Sequence, residues 1–227
     1  MSVYLPRKMA RAEVQSALDR HITMLDEIKK HSLTNNVAGD QFLYLMAIPI
    51  IYSAWEGYFK IVFSVCFKRK CNLHRKASSY PEIFSVLWLQ KQGFFQSYLS
   101  KMFAAMQLGQ ERLPKTGAQY RALAEFSKGF SAWIRGPVDH TVKFDSLVMT
   151  YSNVNLEVLK LNSEVIGLNL TGVRTGSLDE LVGRRNDVAH GGLLVYPTNF
   201  EVDQLISYTE ELMKSLDGAV SKWMDVN

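Results

Sequence analysis

Cysteine is scarce in this sequence, with Cys66 and Cys71 the only two among 227 residues. No further cysteine is available to complete a thiolate zinc site, and the pattern suits a reducing, cytoplasmic interior. The opening stretch from Met1 to Lys8 lacks the apolar core of a signal peptide, so secretion is not expected. No pair of histidines at metal-ligating spacing, no HExxH-like run and no clustered aspartates offer a catalytic metal site, and no cofactor is expected. A glycine-rich phosphate loop is missing as well, which argues against an ATPase or kinase; Gly191 and Gly192 fall where a helix ends and its dipole repels phosphate. Internal repeats, low-complexity tracts and strand-like alternation are also absent. A formal charge of +4 with a pI near 9.0 is mild, permitting an anionic partner without demanding one.

What the chain has in quantity is apolar residues at helical spacing. Hydrophobic types make up 47% of it, enough for a substantial core. Spacings of three and four predict helices over Ala10 to His31, Gln41 to Phe67, Ala118 to Ile134 and Glu201 to Trp223. Turn residues at 34–36, 72–81, 113–117, 135–137 and 196–199 divide the chain into about seven or eight helices. The longest apolar stretch, Phe42 to Val65, contains Glu56 and Lys60, which a membrane span would carry only at a cost of several kcal/mol. It therefore reads as a buried core helix, with no membrane partner. The expected architecture is all-α: an antiparallel bundle in one domain over 1–227, with residues 80–150 forming a helical insertion in mid-chain.

One segment stands apart. In Leu181-Val182-Gly183-Arg184-Arg185-Asn186-Asp187-Val188-Ala189-His190-Gly191-Gly192, a permanent cation suited to phosphate and a side chain that trades protons near neutral pH lie five positions apart. Ser177 followed by Glu180 resembles a capping box and the two glycines a stop, predicting a helix from about Ser177 to His190. At roughly 100° per residue Asn186 and His190 share a face, whereas Arg185 and His190 lie roughly 140° apart. The plainer reading is structural, since a cation in a last helical turn is favoured by the carbonyls exposed there.

Asp179 to Gly191 closely resembles the signature helix of the HEPN superfamily, an arginine and polar residue followed after several positions by histidine; Arg185, Asn186 and His190 fill those places. Tyr52-Ser53-Ala54-Trp55-Glu56-Gly57-Tyr58-Phe59-Lys60 is similar to the aromatic-Glu-Gly helix of the MAE-type branch, as is Ser152 to Leu156 running on to Leu168. The resemblance spans about residues 10 to 220 and implies a HEPN helical bundle that pairs with a second copy across a two-fold axis, bringing two motifs into one cleft. It further implies a metal-independent endoribonuclease acting as a toxin or antiviral effector, with an antitoxin or other defence-system protein as a possible partner. RNA would be cut by attack of the ribose 2′-hydroxyl, leaving a 2′,3′-cyclic phosphate. His190 would serve as general base or acid, Arg185 would stabilise the phosphorane, and Asn186 would orient the histidine or the phosphate. The alternative is a catalytically inactive HEPN module that binds RNA, a nucleotide or a protein. Some HEPN toxins are modified on a tyrosine two places after the histidine, where this chain has Gly192.

Other candidates divide between functional and structural roles. Glu56 would anchor Arg185 or His190 from behind, or pair with Lys60 one turn on. Arg184 would bind a flanking phosphate, or pair with Glu180. The basic run Lys68, Arg69, Lys70, His74, Arg75 and Lys76 would dock RNA, or gather at a helix end as cations commonly do. His21, His31, His74 and His140 read as polar surface, and Trp88, Phe94, Phe95, Tyr98 and Trp133 as core more than base-stacking platforms.

Overall fold

The computed structural model describes residues 5–33, 41–71, 76–91, 93, 96, 117–138, 144–192 and 196–227. Seven α-helices and no strands occur among them: α1 Arg7–Leu33, α2 Gln41–Cys71, α3 Glu82–Lys91, α4 Gly117–Arg135, α5 Leu156–Ile166, α6 Leu178–His190 and α7 Asn199–Val226. Tight 3-10 turns at Ala77–Ser79 and Phe144–Leu147 complete the regular structure. The all-α expectation holds, and the four periodic segments appear with slightly longer bounds.

Helix α2 is the axis of the bundle. Sixteen of its 31 residues are buried, including Ile48, Ile51, Trp55, Phe59, Val62, Phe63 and Phe67 with no exposure at all. Alone among the described helices it is long and apolar enough to cross a membrane, yet 61% of its most apolar window is buried inside the protein. It is the core helix of the bundle. Buried side chains from α1, α2, α3, α5, α6 and α7 join one cluster around it. In the middle of the chain, α3 contributes Phe84, Leu87 and Trp88 to that cluster, whereas the described side chains of α4 are at most half-buried.

Ion pairs give the helix directions. Arg11 of α1 meets Asp225 of α7 at 2.6 Å, and Lys29 at the other end of α1 meets Asp203 at 2.7 Å, so α1 and α7 run antiparallel. These exposed pairs are each worth at most about 1 kcal/mol and report the arrangement more than they cause it. Burial of α2 is the stronger term, at roughly 1.5–3 kcal/mol per large apolar side chain.

His21 corrects the expectation of a surface histidine. It is buried on α1, donates Nδ1–H to the Ala17 carbonyl at 2.7 Å and meets the Tyr58 ring edge-on. Gly57 makes the room: a Cβ there would lie 2.6 Å from His21 Nε2. His31 is exposed and pairs with Glu27, as surface histidines do, while His74 and His140 lie outside the described residues.

Two tests follow from this packing. Gly57→Ala is expected to lower stability by about 1–3 kcal/mol through overpacking. In a His21→Ala background the same change should raise stability by up to about 1 kcal/mol, because only the helix preference of alanine remains; urea denaturation reads the sign. The second test concerns Cys66 and Cys71, both buried, whose thiols burial pushes up, Cys71 to about 12. A thiol reagent at pH 8 should label neither in the folded protein and both in denaturant.

Candidate functional site

Helix α6 ends as its glycines predict. Gly191 takes a left-handed φ of 69°, and the N–H groups of Gly191 and Gly192 return to the carbonyls of Val188 and Asp187. Its start differs from the capping-box expectation. Ser177 makes no side-chain cap, and Glu180 turns outward to Arg184. The true capping box lies at α7, where Thr198 and Glu201 satisfy each other's backbone N–H groups.

The segment 149–155 crosses α2 and is held at both ends. Asn162 of α5 accepts from the Met149 N–H at 3.0 Å and donates to its carbonyl at 2.8 Å. On the other side, the Tyr52 hydroxyl accepts from the Val154 N–H at 2.8 Å while Trp55 Nε1 donates to the Val154 carbonyl at 3.0 Å. Between these clamps Tyr151 adopts a left-handed φ of 44°, the only such non-glycine residue among those described. Asn155 then caps α5 by accepting from Val158, and Asp179 at the start of α6 accepts from the Leu156 N–H. The stretches around Tyr52, Asn153 and Arg185 are thus one assembly in space.

Arg185 occupies its centre. Its Nη1 donates to Asn153 Oδ1 at 3.2 Å and to Asn186 Oδ1 at 3.0 Å, and its guanidinium carbon lies 5.2 Å from the centre of the Tyr52 ring. Burial pushes the Tyr52 phenol up to about 12, reinforced by the neighbouring Glu56 carboxylate. Tyr52 and Asn153 were not singled out from the sequence, although both sit inside the stretches that carried the resemblance. Their roles depend on which chain segments meet, which spacing does not encode.

The remaining candidates scatter around this centre. His190 is exposed at the last position of α6, with no side-chain hydrogen bond among the described residues, and no hydrogen bond joins it to Arg185. Asn186 gives its oxygen to Arg185, not to His190. Glu56 forms an ion pair with Lys60; its connection to Arg185 runs through Tyr52. Arg184 is tied to Glu180 at 3.3 Å and Glu201 at 3.2 Å, which leaves it little freedom for a phosphate.

Part of the basic run turns inward, against the expectation of a docking face. Arg69 is buried and donates to the Leu5 carbonyl at 3.4 Å. Lys70 donates to the Ile166 carbonyl at the end of α5, between the rings of Tyr80 and Trp223. Carbonyls left open by the last turn of α5 attract that ammonium, so the helix end consumes a cation. Lys68 stays half-buried, Lys76 is exposed beside Pro137, and Arg75 lies outside the described residues. Trp88 is core and Trp133 is packed half-buried against it. Among the described residues no cluster of three His, Cys, Asp or Glu side chains gathers as a metal site.

The Thr198 bonds and Arg184 hold the Glu201 carboxyl below its ordinary value of 4.5. A depressed carboxylate stabilises the fold above its unfolded pKa, and that contribution is lost as pH falls through the folded one. Glu201→Ala should therefore lower the melting temperature at pH 7, and the gap to the native protein should close as pH drops below 4.5.

A family model described as RiboL-PSP-HEPN aligns with residues 17–222. No curated protein and no solved structure matches. The match places the chain in the HEPN superfamily and does not extend to the MAE-type branch.

Proposed function

Because this chain belongs to the RiboL-PSP-HEPN family, whose domains point to a nuclease or RNA-binding module, we propose that it is an endoribonuclease that cuts RNA without a metal. The observation that carries the proposal is the preorganised guanidinium of Arg185. It is held by two amide oxygens and an aromatic face, with no carboxylate paired to it among the described residues. Neutral partners fix its direction without spending its charge, which is what a phosphorane requires.

In the reaction, a ribose 2′-hydroxyl attacks the adjacent phosphorus as a general base takes its proton. The 5′-oxygen leaves with a proton from a general acid, and the product ends are a 2′,3′-cyclic phosphate and a 5′-hydroxyl. His190 supplies one of the proton transfers. Arg185 and His190 of one chain face different ways, so we assign the complete site to a homodimer in which each Arg185 works with the partner's histidine. An exposed apolar stripe supports this arrangement. Phe42, Leu43, Met46 and Ile50 are 40–60% exposed on the first half of α2, at the end of the bundle toward which α6 directs His190. Exposed apolar residues at helical spacing are the usual mark of a contact surface.

The biological role we assign is that of a cytoplasmic toxin or antiviral effector, restrained by an antitoxin or defence-system partner. A second reading is favoured by His190 itself, since an exposed histidine at a helix C-terminus also suits a simple cap. On that reading the chain binds RNA and cuts nothing.

End-labelled mixed RNA incubated in EDTA is expected to be cut by the wild-type protein to cyclic-phosphate ends, with the rate falling by roughly 10²-fold or more in His190→Ala. Intact RNA in the presence of a folded dimer would favour the binding module, and undiminished cutting by the variant would remove His190 from the reaction. Ile50→Glu should sediment as a monomer and lose cutting, since the charge would be buried in the interface.

A further inference from the structure

The guanidinium of Arg185 carries five N–H bonds on three nitrogens. Nη1 is committed to Asn153 and Asn186, and one face of the plane lies on Tyr52. Among the described residues no hydrogen bond or ion pair engages Nε or Nη2, and those two nitrogens form the edge that matches a pair of phosphate oxygens. We propose that Tyr52, Asn153 and Asn186 form a cradle that aims this Nε–Nη2 edge of Arg185 at the two non-bridging oxygens of the scissile phosphodiester. Tyr52 is the positioning residue that holds the cradle together. The inference rests on the ribonuclease reading for its substrate and goes beyond it in assigning which edge binds and what aims it.

Tyr52 acts in two ways that its chemistry separates. Its ring, 1% exposed, supplies a flat and immobile surface for the cation. Its hydroxyl accepts from Val154, the residue next to Asn153, and so sets where the Asn153 oxygen stands. Trp55 completes that fixation through the Val154 carbonyl, and Asn162 fixes the far end of the segment at Met149. A phenol buried this deeply beside a carboxylate stays protonated at neutral pH, so Tyr52 positions and does not transfer protons. Glu56 in turn is neutralised by Lys60, which keeps its charge from competing with phosphate for Arg185.

The test is a double-mutant cycle on Tyr52 and Arg185, read in two ways: single-turnover cutting of RNA, and affinity for 2′-O-methyl RNA, which cannot be cut. Tyr52→Leu and Arg185→Lys should each lower cutting by roughly tenfold or more, and the double variant should be no worse than Arg185→Lys alone. Tyr52→Phe keeps the ring and loses the hydroxyl, so it should retain part of the activity and lose only the stability that the acceptor of the Val154 N–H contributes. It also serves as the variant to interpret if Tyr52→Leu melts early. Additive losses in both readouts would overturn the cradle, leaving Tyr52 a core residue. Coupling seen in binding with no cutting by the wild type would retain the cradle and remove the nuclease reading. A wild type that neither cuts nor binds RNA would overturn both.

Discussion

Helix α2 is apolar nearly all round, and that single constraint organises the molecule. Apart from a narrow polar line through Ser53, Glu56 and Lys60 it offers little to water, so other helices cover most of it. Helices α1, α6 and α7 pack against it, α5 and the 3-10 turn Phe144–Leu147 cover more of it, and α3 joins the same core cluster. A buried polar atom that finds no partner there costs about 1–3 kcal/mol. Tyr52 and Trp55 find theirs in the two peptide groups of Val154. Satisfying the core helix is therefore the same event as docking segment 149–155 against it.

That docking has a functional consequence. Pinned at Met149 and Val154, the segment delivers Asn153 to Arg185, while α6 brings Arg185 over the Tyr52 ring. The cations of the chain divide accordingly. Arg184 is paired with carboxylates, Lys70 is absorbed by a helix end, and Arg69 is buried against a carbonyl. Arg185 is held only by neutral groups. A guanidinium neutralised by aspartate or glutamate has little attraction left for phosphate, whereas one held by amides keeps its charge.

The places where sequence patterns misled share a physical cause. Ser177 and Glu180 have the spacing of a capping box, but Glu180 is drawn to Arg184, and the box forms instead at Thr198 and Glu201. His21 sits on an amphipathic helix where a polar residue reads as solvent-facing, yet a glycine on the neighbouring helix opens a pocket for it. The basic run is continuous in sequence, but a helix turns successive residues about 100° apart, so Arg69 and Lys70 enter the protein while Lys68 stays at its boundary. In each case a competing partner distant in the chain decided the outcome.

By itself the sequence determined the helical class, the extents of the long helices, the core role of Phe42 to Val65 and the glycine stop after His190. Spacing and turn chemistry are local properties, and a local pattern is sufficient for them. The resemblance to HEPN proteins was equally legible, because it rests on residue order within a few short stretches. Only the tertiary structure decided that Tyr52 and Asn153 support Arg185 and that Glu56 reaches it through Tyr52. Those facts depend on contacts between residues 32 to 133 positions apart in the chain. No periodicity reports such contacts, since they arise only when helices choose their neighbours to bury α2.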